Sequence, residues 1–213
     1  MDARPVASLG PAGASSGRHQ ASRGDAATTL AFGPDGYRLS VLEVRRHTER
    51  GPTGAITDAG IAAARALAGV RYALVVSSPL ERAKRTAKLI GGRLDATEPG
   101  LLPDIGGAGI YGDMGALADW RRLLREDAEA RALADEQLAT WSRLVARVGP
   151  KDCVLVISHG GIIELPIVAL GQRLGTVLAG PSFGFLEGAR IGYAKGVPAS
   201  VDLLRAVHEH GPK

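Results

Sequence analysis

Residues 153–161 read Cys-Val-Leu-Val-Ile-Ser-His-Gly-Gly, an apolar run that ends in a histidine followed by two glycines. A short apolar run with turn-forming residues after it is typical of a buried strand. Residues 41–47, Val-Leu-Glu-Val-Arg-Arg-His, show the same order of an apolar run and then a histidine. Open α/β sheets bind their ligands at the carboxyl ends of the strands. We therefore expect His47 and His159 to lie at one such site.

Strand-like and helix-like segments alternate around these two runs. Strands are predicted at 39–44, 73–76 and 154–157, and helices at 57–67 and 78–90. This alternation predicts an α/β fold, a three-layer α/β/α sandwich with a mostly parallel central sheet. The remaining predictions are a loop over 93–113, a helical region over 114–148 with a break at 134–136, a helix over 162–170 and strands at 183–191 and 200–204.

Several residues mark the expected helix ends. Thr57 is expected to cap the first helix and Ser78 the second, with Pro79 in the first turn of the second helix. The second helix is predicted to end at the glycine pair that begins with Gly91, and Pro166 is expected to kink the helix in which it lies.

The chain of 213 residues divides into two parts of different composition. Residues 1–36 are rich in Ala, Gly, Ser, Pro and Arg, and we expect a disordered arm, because they would bury too little apolar surface to offset the entropy of ordering. Residues 37–213 are expected to form a single domain with its own core.

Composition also argues against several classes of partner. A net charge of +4 with 4% aromatic residues does not resemble a nucleic-acid footprint, and no apolar run is long enough to cross a membrane. Cys153 is the single cysteine, which excludes an internal disulfide and favours a cytoplasmic location. The sequence leaves a homodimer open.

The residues around the two histidines favour binding of an anion. The guanidinium of Arg46, directly before His47, could bind phosphate oxygens and would lower the pKa of the imidazole. Arg82 lies in the first turn of a predicted helix, where the helix dipole disfavours a cation, and a bound phosphate would explain its position. Gly160 lets backbone amides approach a ligand closely. Together these residues predict a cationic pocket for a phosphoryl group.

Four segments carry a more specific signal. Residues 46–48 read Arg-His-Thr, 56–60 read Ile-Thr-Asp-Ala-Gly, 77–87 read Ser-Ser-Pro-Leu-Glu-Arg-Ala-Lys-Arg-Thr-Ala, and 156–161 read Val-Ile-Ser-His-Gly-Gly. In this order they resemble the motifs of the histidine phosphatase superfamily, also called the phosphoglycerate-mutase-like family. The resemblance covers roughly residues 39–205.

The resemblance implies roles for the residues that match the motifs. It implies that His47 is the nucleophile and forms a phosphohistidine, and that Arg46, Arg82 and His159 bind the phosphoryl group and stabilise its charge. It implies no cofactor and no metal, and the two histidines also lack a third ligand at metal spacing.

The resemblance also directs attention to a proton donor and to one departure. Asp104 lies where many family members have an acidic proton donor, and Asp113 and Glu49 are the alternatives. Thr48 replaces the usual glycine, so a β-branched side chain is expected beside the nucleophile.

We favour the phosphatase branch of this family, because the chain is compact and its 93–113 loop is rich in glycine. The expected activity is hydrolysis of a small phosphorylated metabolite, with Thr53, Gly160 and Arg50 in contact with the substrate. One alternative is a phosphotransferase of the mutase type. The other is a non-catalytic phospholigand-binding protein of the same fold, which Thr48 would favour.

Overall fold

The computed structural model describes residues 39–102 and 114–206, and six strands of this part of the chain form one sheet. The strands are β1 (Ser40–Arg46), β2 (Leu74–Ser77), β3 (Ala96–Thr97), β4 (Cys153–Ser158), β5 (Gly188–Ala194) and β6 (Val197–Leu204). Their order across the sheet is β3-β2-β4-β1-β5-β6. The first four strands of that order are parallel, whereas β5 and β6 are antiparallel to their neighbours.

Helices cover both faces of the sheet, as the alternating side chains of β4 show. Val154 and Val156 pack in a core with the last three helices, whereas Leu155 and Ile157 pack in a second core with the first two. The α/β fold with a mostly parallel sheet is therefore confirmed. The helices are α1 (Asp58–Ala66), α2 (Glu81–Gly91), α3 (Leu117–Glu126), α4 (Ala128–Val145) and α5 (Glu164–Arg173).

The predicted ends of the first two helices were right at three of four positions. Thr57 caps α1, because its hydroxyl oxygen accepts a hydrogen bond from the Gly60 N–H at 3.0 Å. α2 ends at Gly91, and Gly92 follows in the left-handed region at φ +74°. The predicted start of α2 was wrong. Leu80 occupies the cap position without a side-chain cap, and Ser78 lies before the helix with a different partner.

The predicted break at 134–136 was also wrong, since α3 and α4 are separated at Asp127. The Asp127 side chain accepts hydrogen bonds from the Glu129 and Ala130 N–H groups at 2.7 and 3.2 Å, which caps the start of α4. Pro166 lies in the first turn of α5, where a missing N–H breaks no helical hydrogen bond. The helix therefore accommodates it.

The late strands differ from their predicted bounds. Residues 183–187 precede β5 as a loop, and β6 begins at Val197 rather than at Ser200. The predicted loop at 93–113 contains the short strand β3, and its residues 103–113 lie outside the described part of the chain, as does the predicted arm at 1–36. Among the helices described, none is long and apolar enough to cross a membrane.

Candidate functional site

Three strands deliver polar side chains to one end of the sheet. β1 and β4 are neighbours in parallel, and Arg46 pairs with Ser158, so the next residues, His47 and His159, come out side by side. Their ring centroids are 5.1 Å apart, and the residues are only 3% and 2% exposed. Ser78 follows β2 on the other side of β4. The structure thus brings the two predicted histidines into one buried site.

Arg82, in the first turn of α2, joins the two histidines. Its Nε lies 3.1 Å from Nε2 of His47, and its NH2 lies 3.4 Å from Nδ1 of His159. A guanidinium can only donate hydrogen bonds, so the ring nitrogens that face it must be acceptors without a proton. Arg82 is 35 residues from His47 and 77 residues from His159 in the sequence, but the fold brings all three side chains together.

The remaining contacts define where each imidazole carries its proton. Nδ1 of His47 lies 2.7 Å from the Thr48 carbonyl oxygen, which can only accept, so Nδ1 is protonated and the lone pair of Nε2 accepts from Arg82. Nε2 of His159 lies 2.6 Å from Oγ of Ser78 and donates to it. His47 therefore presents an unprotonated nitrogen to the site.

Burial keeps both imidazoles neutral. The pKa of His47 is lowered to about 4, first by burial and then by the charges of Arg82, Arg46 and Arg50, although the Thr48 carbonyl acts in the opposite direction. The pKa of His159 is lowered to about 3, again first by burial and then by the neighbouring charges. At neutral pH the site therefore combines neutral imidazoles with positive guanidinium groups.

Arg46 reaches the site over the glycine turn after β4. A Cβ atom on Gly160 would lie 3.0 Å from the Cζ atom of Arg46, so a larger residue there would push the guanidinium out of its present position. NH1 donates to the Phe183 carbonyl oxygen at 2.8 Å, and the guanidinium lies 4.6 Å from the ring centroid of Phe185. Nε is buried and has no hydrogen-bond partner within residues 39–102 and 114–206. An anion would supply the acceptor that this donor lacks.

Glu164 supports the site, and the sequence reasoning missed it. Glu164 is only 1% exposed, and its carboxyl oxygens accept hydrogen bonds from the Gly161 and Phe183 N–H groups at 2.7 and 3.2 Å. Burial raises the pKa of this carboxyl, while the backbone donors and Arg46 act in the opposite direction. The sequence does contain one indication of this role. Glu164 follows Gly161 by three residues, and a glutamate at that spacing can accept a hydrogen bond from the backbone of the turn before a helix.

Thr48, the residue after His47, is hydrogen-bonded to the first two helices. Its hydroxyl donates to the Gly60 carbonyl oxygen at 2.8 Å, and its N–H donates to Oγ1 of Thr86 at 3.2 Å. The side chain is thus bound to the first turn of α1 and is almost completely buried. The threonine that stands in place of the glycine of the resembled motif therefore has its hydroxyl bound to α1.

The other predicted site residues have different positions. Arg50 is exposed, and its charge contributes to the lowered pKa of both histidines. Thr53 is exposed on a cleft of about 380 Å³ that Arg82 also lines. Glu49 accepts a hydrogen bond from the Thr57 hydroxyl at 2.8 Å, beside α1. Asp104 and Asp113 lie outside the described residues. Where the chain is described, no group of three or more His, Cys, Asp or Glu could hold a metal ion.

Comparison with known proteins agrees with this geometry. The family model of the histidine phosphatase superfamily (branch 1) matches residues 52–106, a segment that contains Arg82. No curated protein matches the chain in sequence.

Several solved structures share the fold. A phosphoserine phosphatase from Entamoeba histolytica, in complex with 3-phosphoglyceric acid, is 19% identical with a TM-score of 0.58, over 79% of this chain and 98% of that chain. A phosphoglycerate mutase from Bacillus anthracis is 15% identical with a TM-score of 0.53, over 79% and 93%. A mycobacterial glucosyl-3-phosphoglycerate phosphatase is 24% identical with a TM-score of 0.53, over 79% and 99%. The match of the family model over residues 52–106 agrees with the resemblance that the four sequence motifs carry, and the solved structures show that the fold is shared.

The neutral state of His159 predicts how stability depends on pH. An unfolded histidine takes up a proton near pH 6.5, whereas His159 in the folded protein does so only near pH 3. Between these values the unfolded state binds more protons, so the free energy of unfolding falls as the pH is lowered. In His159→Gln this contribution should be absent, and the difference in slope should be about 1 kcal/mol per pH unit.

Urea unfolding at several pH values between 4 and 7 measures this difference. Ser78→Ala is the matched control, because it removes the hydrogen-bond partner of His159 but leaves the imidazole, and it should retain most of the slope. Equal slopes in wild type and His159→Gln would show that the imidazole is not held neutral.

Proposed function

We propose that the protein is a phosphomonoester hydrolase that acts on a small phosphorylated metabolite through a phosphohistidine at His47. The observation that carries this proposal is the contact between Arg82 and both histidines, which leaves Nε2 of His47 unprotonated beside a cationic group. The family model and the shared fold support a phosphatase-type enzyme. A cytoplasmic location belongs to the same proposal.

In the first step, Nε2 of His47 attacks phosphorus while the bond to the leaving oxygen breaks. The incoming phosphoryl oxygens replace the Nε2 lone pair as acceptors for Arg82, which is thereby released from His47 and bound to the developing charge. Arg46 would donate from its buried Nε, over the close turn at Gly160. The exposed Arg50 and Thr53 would contact the rest of the substrate.

His159 changes its role when the phosphoryl group enters. Without substrate it is neutral and accepts from Arg82. A doubly negative group nearby favours the protonated imidazole, so its pKa should rise and Nδ1 should become a donor to the phosphoryl oxygens. In the second step, water gives a proton to the carboxylate that protonated the leaving oxygen and attacks phosphorus, the N–P bond breaks, and inorganic phosphate leaves with His47 neutral again.

One rival function loses part of its support. A non-catalytic phospholigand-binding protein was favoured by a side chain that would crowd the nucleophile, but the Thr48 hydroxyl is bonded to Gly60. Phosphotransfer between two positions of a substrate shares the first step with hydrolysis. The two differ in whether water or a second hydroxyl accepts the phosphoryl group from His47.

Trapping the intermediate tests this proposal. Rapid mixing with a phosphomonoester, followed by an alkaline quench and mass spectrometry, should find one phosphoryl group on the peptide that contains His47. His47→Ala should lose both the label and turnover, because no other group supplies the nucleophile. His19→Ala is the control, since the proposal gives His19 no role. Turnover without a labelled His47, or a label on another residue, would contradict the mechanism.

Asp104 is proposed as the acid that protonates the leaving oxygen. Asp104→Asn should slow hydrolysis of alkyl phosphates far more than that of p-nitrophenyl phosphate, whose leaving group scarcely needs a proton. Rates of Asp113→Asn and Glu49→Gln on the same two substrates provide the comparison. An equal loss on both substrates for Asp104→Asn would remove it as the acid and favour whichever carboxylate shows the selective loss.

A further inference from the structure

A buried group of charges lies under the site, on the face of β1 that packs toward α1 and α2. Glu43 is 3% exposed, and its carboxylate accepts hydrogen bonds from Nε of Arg45 at 2.6 Å, NH2 of Arg190 at 2.8 Å and the hydroxyl of Tyr72 at 3.0 Å. Burial acts to raise the pKa of Glu43, but the charges and hydrogen bonds of the arginines lower it overall, so it stays ionised. Buried ion pairs seldom add to stability, which suggests a further purpose.

Arg45 connects this group to the catalytic edge of the sheet. While its Nε binds Glu43, its NH1 donates to the Leu186 carbonyl oxygen at 2.7 Å, across 141 residues of sequence. These two hydrogen bonds fix the orientation of the Arg45 guanidinium, because Nε and NH1 lie in the same rigid plane.

Leu186 needs to be held. Its backbone lies in the left-handed region at φ +63°, which is unfavourable for a residue with a Cβ by about 1–2 kcal/mol. The Leu186 N–H donates to the Arg46 carbonyl oxygen at 3.2 Å, and its own carbonyl accepts from Arg45. Arg45 and Arg46, at the end of β1, therefore bind the backbone carbonyl and the backbone N–H of Leu186, respectively.

The residue before Leu186 covers the nucleophile. The ring centroids of Phe185 and His47 are 5.7 Å apart. The Cζ atom of Arg46 lies 4.6 Å from the ring centroid of Phe185. It therefore supplies part of the apolar surface that excludes water from the imidazole.

Phe185 also borders a groove. This groove of about 540 Å³ is lined by Phe185, Leu186 and Arg45 together with small residues of α1, among them Ala59 and Ala63. An aromatic ring beside such a groove has room to leave His47, so the segment that carries it requires a fixed backbone. The hydrogen bond from Arg45 provides that fixation.

We propose that Arg45, held by Glu43, is a positioning residue that fixes Leu186 and thereby keeps the Phe185 ring against His47. The side chain of Arg45 does not touch the reacting atoms in this account. It acts through the backbone of 185–186, and it determines how much water reaches the nucleophile. The kinetic part of the proposal rests on the proposed role of His47, but its effect on the environment of His47 does not.

NMR titration of the His47 ring in three variants tests this inference. Arg45→Met keeps a long side chain but loses both hydrogen bonds. Arg45→Lys keeps the positive charge but loses the planar guanidinium that binds Glu43 and the Leu186 carbonyl oxygen at the same time. Both should admit water and raise the pKa of His47 from about 4 toward 6.5, by about one unit or more. Tyr72→Phe is the matched control, because it removes one hydrogen bond to Glu43 and leaves Arg45 bound to Leu186.

The charged groups that face His47 stay the same in these variants. They are Arg46 from β1, Arg50 from the loop that follows, Arg82 from α2 and the neutral His159 after β4. A rise in the pKa of His47 in Arg45→Met alone would report the lost charge of Arg45 rather than lost positioning, because Arg45→Lys keeps that charge. The inference is overturned if Arg45→Lys keeps the wild-type pKa of His47 or if Tyr72→Phe shifts that pKa equally. Arg45→Lys decides the matter even if Arg45→Met fails to fold.

The pH dependence of kcat/KM on p-nitrophenyl phosphate gives a second readout. Attack needs neutral His47, so a raised pKa should move the acid limb of the profile to higher pH by the same amount as the titration shows. An unmoved limb alongside a shifted titration would contradict the account. Absence of turnover in wild type would count against the proposed function, whereas the titration would still decide the positioning role.

Discussion

The shared contact of Arg82 with two buried imidazoles is the constraint on which the rest of the site depends. Because a guanidinium donates and cannot accept, both facing nitrogens must be unprotonated. Each imidazole then needs an acceptor for its other nitrogen, which the Thr48 carbonyl and the Ser78 hydroxyl supply. The positions of the lone pairs, the charge and the protons in the site are therefore set together by these contacts.

The sheet order makes this contact possible. β4 lies between β1 and β2, so His159 comes out between His47 and the start of α2, which carries Arg82. Buried carboxylates complete the arrangement from two sides. Glu164 binds the turn after β4 and the start of the 183–187 loop, and Glu43 binds the arginine that fixes the end of that loop. The cationic site is thus held by two buried carboxyl groups that lie beneath it.

The sequence predicted the parts of the site that follow strands and missed those that depend on distant contacts. His47 and His159 could be found because each ends an apolar run. Ser78 was interpreted as a helix cap because Ser-Pro commonly starts a helix, and its true partner lies 81 residues further along the chain. Glu43 looked like an ordinary strand residue, since no sequence pattern shows that two arginines reach it. Burial and long-range partners, not local propensity, account for these differences.

The state of the His47 ring tests the central claim most directly. In protein with ¹⁵N-labelled histidine, the account predicts a neutral ring at pH 7 with the proton on Nδ1, and no titration until the pH falls to about 4. In Arg82→Ala, the Nε2 lone pair should lose its donor, and the ¹⁵N shift of that nitrogen should move accordingly. A ring that titrates near pH 6.5, or that carries its proton on Nε2, would contradict the account.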